Sequence, residues 1–364
     1  MKYIDEFRDP DAARALVEKI RREATGDPMR LMEVCGTHTV SISRGGLRSL
    51  LAGAVSLVSG PGCPVCVTPD GYVDAAIELG LRPNVTLTTF GDMLRVPGKN
   101  STLEKERAGG ADVRIVYSPL DAVALADATP DRQIVFLGVG FETTAPIIGG
   151  AIRAAKERGV KNFSVLSSVR TIPEAMALLS QDPEIQVRGF LCPGHVSVII
   201  GLHPYRFLAE KHGIPCVVCG FEPLDILLGI SMLLRQKKEG AARVENAYPR
   251  GVSPEGNRKA QEMIREIFEP CDTGWRGIGE IPGSGLRIRD RYAEFDAEKK
   301  LGVKVVFSQT PTPCRCGDIL KGKILPSDCP LFGDACTPQT PVGPCMVSTE
   351  GTCAAYFKYG GGAL

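Results

Sequence analysis

Short apolar runs recur along this chain with helical patterns between them, and this alternation restricts the fold to an α/β architecture. The runs lie at residues 31–34, 54–58, 85–90, 113–117, 133–137, 163–166, 187–191 and 215–218. Helical periodicity is present near residues 38–51 and 69–80. Because a helix between two strands makes those strands parallel, the alternation predicts mainly parallel, doubly wound sheets. The 364 residues are enough for two or three such domains.

The pattern divides the chain into three predicted regions. Residues 1–95 and 96–240 form two α/β domains. Residues 241–364 form a helical and cysteine-rich C-terminal region, with a helix over 255–268 and no regular periodicity from residue 310 onward. A segment in which Cys, Pro and Gly dominate cannot bury much apolar surface, so we expect a bound group to order it.

Thirteen cysteines are unusual for a protein of a reducing compartment such as the cytoplasm, which the sequence indicates. The first eight residues carry acids and bases in place of the apolar stretch of a signal peptide, so we expect a soluble, cytoplasmic protein without a membrane span. A reducing compartment does not maintain a disulfide framework, which favours metal binding or thiol redox chemistry. The net charge of +1 argues against a nucleic acid as the main partner.

The C-terminal region contains the strongest chemical signal, six cysteines within forty residues. Four thiolates from a loop-rich segment can ligate a [4Fe–4S] cluster. One admissible set is Cys314, Cys329, Cys336 and Cys353, with Cys316 possible in place of Cys314. A zinc site is the alternative, but zinc sites usually use closely paired cysteines, which this set lacks. The spacing also differs from that of bacterial ferredoxins.

A second cysteine motif, GPGCPVC at residues 60–66, lies between a predicted strand and a predicted helix. Two thiols at the spacing of Cys63 and Cys66 can close a disulfide or chelate a metal, and a helix N-terminus favours the thiolate. The alternative is a pair that merely packs. We assign that role to the CVVC sequence at 216–219, which lies inside an apolar strand, and to Cys192 and Cys271.

Four further motifs occupy junctions where a predicted strand ends: CGTHT at 35–39, FGDM at 90–93, GFETT at 140–144 and PGHVS at 193–197. The carboxyl ends of parallel strands line one crevice, so these motifs can converge with the cysteine pair. The side chains that they contribute are Cys35, His38, Asp92, Glu142 and His195.

A crevice lined by thiols, an acid and an imidazole suits soft-metal chemistry. Glu142 and His195 can move protons or hydrogen-bond a metal-bound ligand. For either residue taken alone, simple capping of the following helix explains the sequence equally well. Neither a complete dinucleotide fingerprint nor a P-loop is present, so the sequence gives little support for nucleotide binding.

Taken together, these motifs resemble the HypD family of [NiFe]-hydrogenase maturation factors. The match extends over nearly the whole chain, to the tail motif CMVSTEGTC at residues 345–353. The resemblance implies two protein partners, a small HypC-type chaperone and a HypE-type cyanide donor. It also implies that the complex with the chaperone holds iron while cyanide and carbon monoxide are attached.

The resemblance also implies residue roles. Cys35 would bind the iron of an Fe(CN)2CO unit, with Cys63 and Cys66 beside it as the redox-active pair. Cys314, Cys329, Cys336 and Cys353 would hold the [4Fe–4S] cluster, with Cys316 possible in place of Cys314 and Cys345 left out. The implied function is a redox-active assembly scaffold rather than a conventional turnover enzyme. The alternative is a [4Fe–4S]-dependent thiol-disulfide oxidoreductase.

Overall fold

A computed structural model describes residues 5–307 and 312–360. Residues 1–4, which belong to the N-terminal segment compared above with a signal peptide, lie outside the described residues. The eleven described strands are β1 Met29–Glu33, β2 Val55–Ser59, β3 Val85–Thr89, β4 Val113–Ile115, β5 Gln133–Gly140, β6 Phe163–Arg170, β7 Gly189–Pro193, β8 Cys216–Cys219, β9 Val244–Asn246, β10 Phe268–Trp275 and β11 Gly279–Ile288. Each of the eight apolar runs overlaps one of these strands, which confirms the predicted α/β class.

The described α-helices connect or cover these strands. They are α1 Pro10–Glu23, α2 Gly36–Arg44, α3 Leu47–Leu50, α4 Asp70–Gly80, α5 Leu103–Ala108, α6 Pro119–Ala128, α7 Ala145–Arg158, α8 Ile172–Ser180, α9 Gly194–Ile200, α10 Arg206–His212, α11 Pro223–Lys238, α12 Arg258–Ile267, α13 Ala297–Leu301, α14 Cys316–Leu320, α15 Pro344–Val347 and α16 Thr352–Tyr359. Short 3-10 helices span Asp5–Phe7, Gly91–Arg95, His203–Tyr205, Asp290–Phe295 and Pro326–Asp328. Within the described chain, no helix has the length and apolar character needed to cross a membrane.

The strands form two sheets. The first sheet has the order β2-β1-β7-β8-β9 and is parallel throughout. The second has the order β10-β11-β6-β5-β3-β4, parallel from β6 to β4 and antiparallel at the β10–β11 end. Strands β3, β7 and β8 are buried along their whole length, as expected where both faces of a parallel sheet are covered.

The division into sheets does not follow the predicted boundaries at residues 95 and 240. Strand β3 precedes residue 95 but lies in the second sheet, whereas β7 and β8 follow that residue and lie in the first. The chain therefore crosses between the sheets more than once. Local periodicity does not reveal such crossings, because it identifies a strand without identifying its neighbour.

The hairpin formed by β10 and β11 contains Pro270 and several glycines, and it has no counterpart among the predicted strands. Its Trp275 is fully buried, donates a hydrogen bond to Ser284 at 2.8 Å and stacks on Phe141. In the turn, the backbone N–H of Arg276 donates to the carbonyl of Val67, the residue after Cys66. The hairpin turn is thereby attached to the GPGCPVC loop.

One buried core cluster joins this hairpin to the cysteine motifs. It contains Trp275 and the Cys63–Cys66 pair, and it includes Cys329, Cys345 and other cysteines of the C-terminal region. The loop-rich C-terminal segment is therefore packed into the interior of the protein and against the first sheet's carboxyl-terminal loops.

Candidate iron and redox site

Cys35 follows strand β1 directly and precedes helix α2. Strand β2 pairs with β1 in parallel, Glu33 beside Ser59, so the GPGCPVC loop that follows β2 emerges next to Cys35. The backbone N–H of Gly36 donates to the carbonyl of Gly62 at 3.1 Å. Gly62 also approaches the backbone of Cys35 so closely that no Cβ would fit there.

The cysteine pair of this loop is oxidised in the structure. Cys63 and Cys66 form a disulfide with their Cα atoms 5.3 Å apart. Both residues are buried. The Sγ atom of Cys66 lies 3.8 Å from the carbonyl oxygen of Pro344, the residue before Cys345. The disulfide therefore lies against the C-terminal cysteine segment.

A buried carboxylate that the sequence analysis did not identify fixes the backbone at Cys35. Glu33 is fully buried and accepts a hydrogen bond from the Cys35 backbone N–H at 3.1 Å and another from the Thr39 hydroxyl at 2.5 Å. Burial raises the pKa of Glu33 to about 7, although nearby donors and Arg48 favour the charged form. An acid at the end of an apolar strand is the signal that marks it.

The Cys35 side chain is a protonated thiol at neutral pH. Burial raises its pKa to about 12, and the charges of Glu350 and Glu33 raise it further, against the backbone N–H groups of His38 and Thr37. A thiol must lose this proton before it can act as a metal ligand. Binding of a cation at Cys35 would therefore release a proton.

Two imidazoles flank one aromatic ring. The ring centroid of His195 lies 4.0 Å from that of Phe221, and the centroid of His38 lies 4.9 Å from it. His38 Nε2 is 2.8 Å from the Gly220 carbonyl, which can only accept, so this nitrogen carries the proton. Nδ1 then presents a lone pair, and it has no hydrogen-bond partner among the described residues.

Both imidazoles are neutral near pH 7. Burial lowers the pKa of His38 to about 4. Burial also lowers the pKa of the partly exposed His195, while the charge of Glu350 opposes that shift. The two imidazoles therefore offer nitrogen lone pairs to a ligand and carry no positive charge.

A tail segment crosses the start of α2 and brings in Glu350. The hydroxyl of Thr37 donates to Glu350 Oε1 at 2.6 Å, and a Cβ on Gly36 would lie 2.5 Å from the Glu350 Cβ. Two residues earlier, Ser348 donates to Asp92 Oδ2 at 2.9 Å. Asp92 is thus connected to the Cys35 region through the tail. Glu350 lies inside the tail motif at residues 345–353, but it is not among the site residues that the sequence predicts.

Glu142 is the predicted site residue with separate contacts. Its carboxylate accepts a hydrogen bond from the Ile172 backbone N–H at 2.9 Å, at the start of α8. Burial raises its pKa to about 8, and Glu174 contributes to the rise. This hydrogen bond is to the start of α8 and not to α7, the helix that follows Glu142, and it does not join Glu142 to Cys35 or to either imidazole.

Five of the six cysteines between residues 314 and 353 line one small apolar cavity of about 10 Å³. They are Cys314, Cys329, Cys336, Cys345 and Cys353, and the predicted ligand set is among them. Cys316 is not in the lining, but its thiol interacts with those of Cys314 and Cys345. The cavity wall therefore contains one thiol more than a four-ligand cluster needs.

The donor set of this cavity suits an iron–sulfur cluster. In the described parts of the chain, no group of three His, Cys, Asp or Glu side chains is arranged so that it could hold a single metal ion. A [4Fe–4S] cluster differs from a single ion because each thiolate binds a different iron atom, so its ligands surround a space rather than a point. Thiols around an apolar cavity fit that requirement, and soft thiolate ligands favour iron and sulfur.

This chain is similar to known proteins over almost its whole length. A family model described as "Hydrogenase formation hypA family", HypD, matches residues 11–360. The hydrogenase maturation factor HypD of Rhizobium leguminosarum bv. viciae is 48% identical, over 99% of this chain and 96% of that protein. Its counterpart in Rhodobacter capsulatus is 47% identical over 99% of both chains. The Escherichia coli K12 protein of the same name is 44% identical over 99% of this chain and 98% of its own. The chain belongs to the HypD family of hydrogenase maturation factors.

Proposed function

We propose that this maturation factor is a cytoplasmic, redox-active scaffold for assembly of an Fe(CN)2CO unit. It would act with a HypC-type chaperone and accept cyanide from a HypE-type donor. One observation carries the proposal: Cys35 lies beside the Cys63–Cys66 loop, and that disulfide lies against the segment whose cysteines line a cavity. The proposed iron ligand, the disulfide that carries an electron pair and the cavity for the cluster are then spatial neighbours in this order.

Cys35 would bind the iron as a thiolate, with Cys63 and Cys66 as its neighbours. The buried thiol proton leaves when the cation arrives, because the two charges compete for the same sulfur lone pairs. Glu33 holds the Cys35 backbone, and the unprotonated Nδ1 of His38 is available to accept a hydrogen bond from a group at the iron. Glu350 and His195 supply a carboxylate and a neutral imidazole that can accept the proton released from the Cys35 thiol.

Cys314, Cys329, Cys336 and Cys353 would hold the [4Fe–4S] cluster, with Cys316 possible in place of Cys314. When bound, such a cluster supplies electrons one at a time. The Cys63–Cys66 pair gains two electrons and two protons when its bond opens to two thiols. Moving cyanide from a thiocyanate-type donor to iron requires two electrons, which matches the capacity of this pair.

Anaerobic purification with the small chaperone tests the proposal. We expect absorption at about 400 nm from the cluster and infrared bands in the nitrile and carbonyl regions from the ligated iron. Cys35→Ala should abolish the infrared bands and retain the absorption, whereas Cys329→Ala should first lose the absorption. A colourless protein that contains zinc would refute the cluster. Normal hydrogenase maturation by Cys35→Ala would refute the iron assignment.

The second candidate is a [4Fe–4S]-dependent thiol-disulfide oxidoreductase, which the disulfide itself favours. Such an enzyme must present its cysteine pair to a protein substrate, yet Cys63 is 4% exposed and Cys66 is completely buried. Turnover of a generic protein disulfide, without any ligated iron, would support this candidate over the scaffold.

A further inference from the structure

Cys314 lies in the wall of two different spaces. One is the small cysteine cavity, and the other is a larger groove on the surface of the protein. Cys314 is partly exposed, whereas the other five cysteines between residues 314 and 353 are buried. A cluster in the cavity would therefore come nearest to solvent at this groove.

The groove continues along the surface past Pro97–Lys99 and Val342, which line both of its halves. We define the basic groove by its five cationic lining residues, Arg95, Lys99, Lys105, Arg276 and Arg315. Its acidic lining residues are Asp70, Glu104 and Asp318. The lining thus has a formal charge of +2, although the whole chain of 364 residues carries only +1.

Most of these cations have no carboxylate partner among the described residues. Arg315 pairs with Asp318 at 2.8 Å. Arg95 and Arg276 instead donate to the backbone carbonyls of Pro338 and Pro97, each at 2.9 Å, which leaves their charge uncompensated. Lys99 and Lys105 are exposed. Such a surface attracts an anionic protein from a distance.

We propose that the basic groove is the docking surface of a small acidic protein that carries a one-electron centre, and that electrons enter at Cys314. The inference rests on the proposed cluster. Each docked donor would lose one electron to the cluster. Two such transfers, with two protons from solvent, convert the Cys63–Cys66 disulfide to two thiols. Charge complementarity selects this occupant, since an electron carrier in the groove would approach the cavity at the partly exposed Cys314.

The experiment compares two reductants of the anaerobically purified protein with its cluster. The rate at which the Cys63–Cys66 disulfide opens is measured, by acid quenching and alkylation of the new thiols, with a reduced acidic [2Fe–2S] ferredoxin and, separately, with dithionite. The test variant is Lys99→Glu/Lys105→Glu. The matched control is Lys237→Glu/Lys238→Glu, which makes the same charge change in exposed residues at the end of α11, away from the groove.

At low ionic strength, we expect the test variant to be reduced by ferredoxin about tenfold more slowly than the unmodified protein. Dithionite should reduce both at the same rate, and added salt should abolish the difference. Equal ferredoxin rates in the test variant and the unmodified protein would overturn the docking surface, as would equal slowing in the control. If the anaerobically purified protein has no absorption at about 400 nm, there is no cluster, and both the proposed function and this inference fail.

Discussion

The guanidinium carbon of Arg48 lies 4.8 Å from the centre of the Tyr356 ring. Arg48 also lies 3.9 Å from the buried carboxylate of Glu33, which holds the Cys35 backbone. Tyr356 belongs to α16, the helix that contains Cys353 at its start. Arg48 therefore connects the backbone of the proposed iron ligand to a helix of the proposed cluster region. The two centres share a structural support in addition to the disulfide loop.

Replacement of Glu33 should disturb this support. Glu33→Ala leaves the Cys35 backbone N–H without its acceptor and Arg48 without its nearest carboxylate, so we expect a loss of about 3 kcal/mol in the free energy of unfolding. Glu33→Gln keeps an acceptor of the same shape and should lose about half as much. Urea denaturation measures both. Equal midpoints for the alanine variant and the unmodified protein would show that Glu33 does not support Cys35.

The buried Glu142 should make stability fall as pH rises. Its pKa is about 8 in the folded protein and near the ordinary value of 4.5 in the unfolded chain. Between these values the unfolded chain has lost the proton and the folded protein keeps it, so each increase in pH favours unfolding. The buried Glu33 also makes stability fall as pH rises, up to about pH 7. His38, with a pKa of about 4, makes stability rise with pH, but only below about pH 6.5. Above pH 7 the effect of Glu142 remains.

Glu142→Gln isolates this effect, because the amide keeps an acceptor for the Ile172 N–H without a titrating proton. Between pH 7 and pH 8 we expect the unmodified protein to lose about 1 kcal/mol of stability relative to the variant. The exposed Glu255→Gln serves as the control. Parallel stability curves for Glu142→Gln and the unmodified protein would contradict the raised pKa.

The sequence predicts the strands of the parallel sheets because such strands are buried on both faces and are therefore continuous apolar runs. Strand β7 is one such case, with every residue buried. The β10–β11 hairpin could not be predicted in this way. Its residues Pro270, Gly283 and Gly285 are typical of turns, and its position depends on antiparallel pairing with β6, which is a tertiary contact.

The candidate site was predictable where its residues follow strands. Cys35, Cys63 and Cys66 follow neighbouring parallel strands, so their proximity follows from the fold class. Glu350 is different, because it meets Thr37 from 313 residues further along the chain. No local pattern encodes such a contact. Glu142 also follows a strand, but its described hydrogen bond is to Ile172 at the start of α8, and its role in the site stays a prediction.

The hairpin turn should be sensitive at one glycine. Gly277 has a φ of +74°, and a Cβ there would lie 2.5 Å from the Cα of Gly317, beside Cys316. We expect Gly277→Ala to lower the free energy of unfolding by about 3 kcal/mol and to speed alkylation of Cys316, because backbone must move. Gly283→Ala is the matched control, with a φ of +67° and open space around it, and should lose about 1 kcal/mol. Similar losses for both variants would mean that the contact with Gly317 contributes nothing.

The cysteines around the cysteine cavity should separate into ligands and a spare. Cys314 lines the cavity and Cys316 does not, so Cys314→Ala should lose the absorption at about 400 nm while Cys316→Ala retains it. Cys345 also lines the cavity, but four thiolates already complete the cluster, so Cys345→Ala should retain its iron and sulfide. Iron and sulfide analysis of the three anaerobically purified variants checks both expectations. If Cys345→Ala loses the cluster while Cys314→Ala keeps it, Cys345 is the fourth ligand, and the peptide that contacts Cys66 is then bonded directly to the cluster.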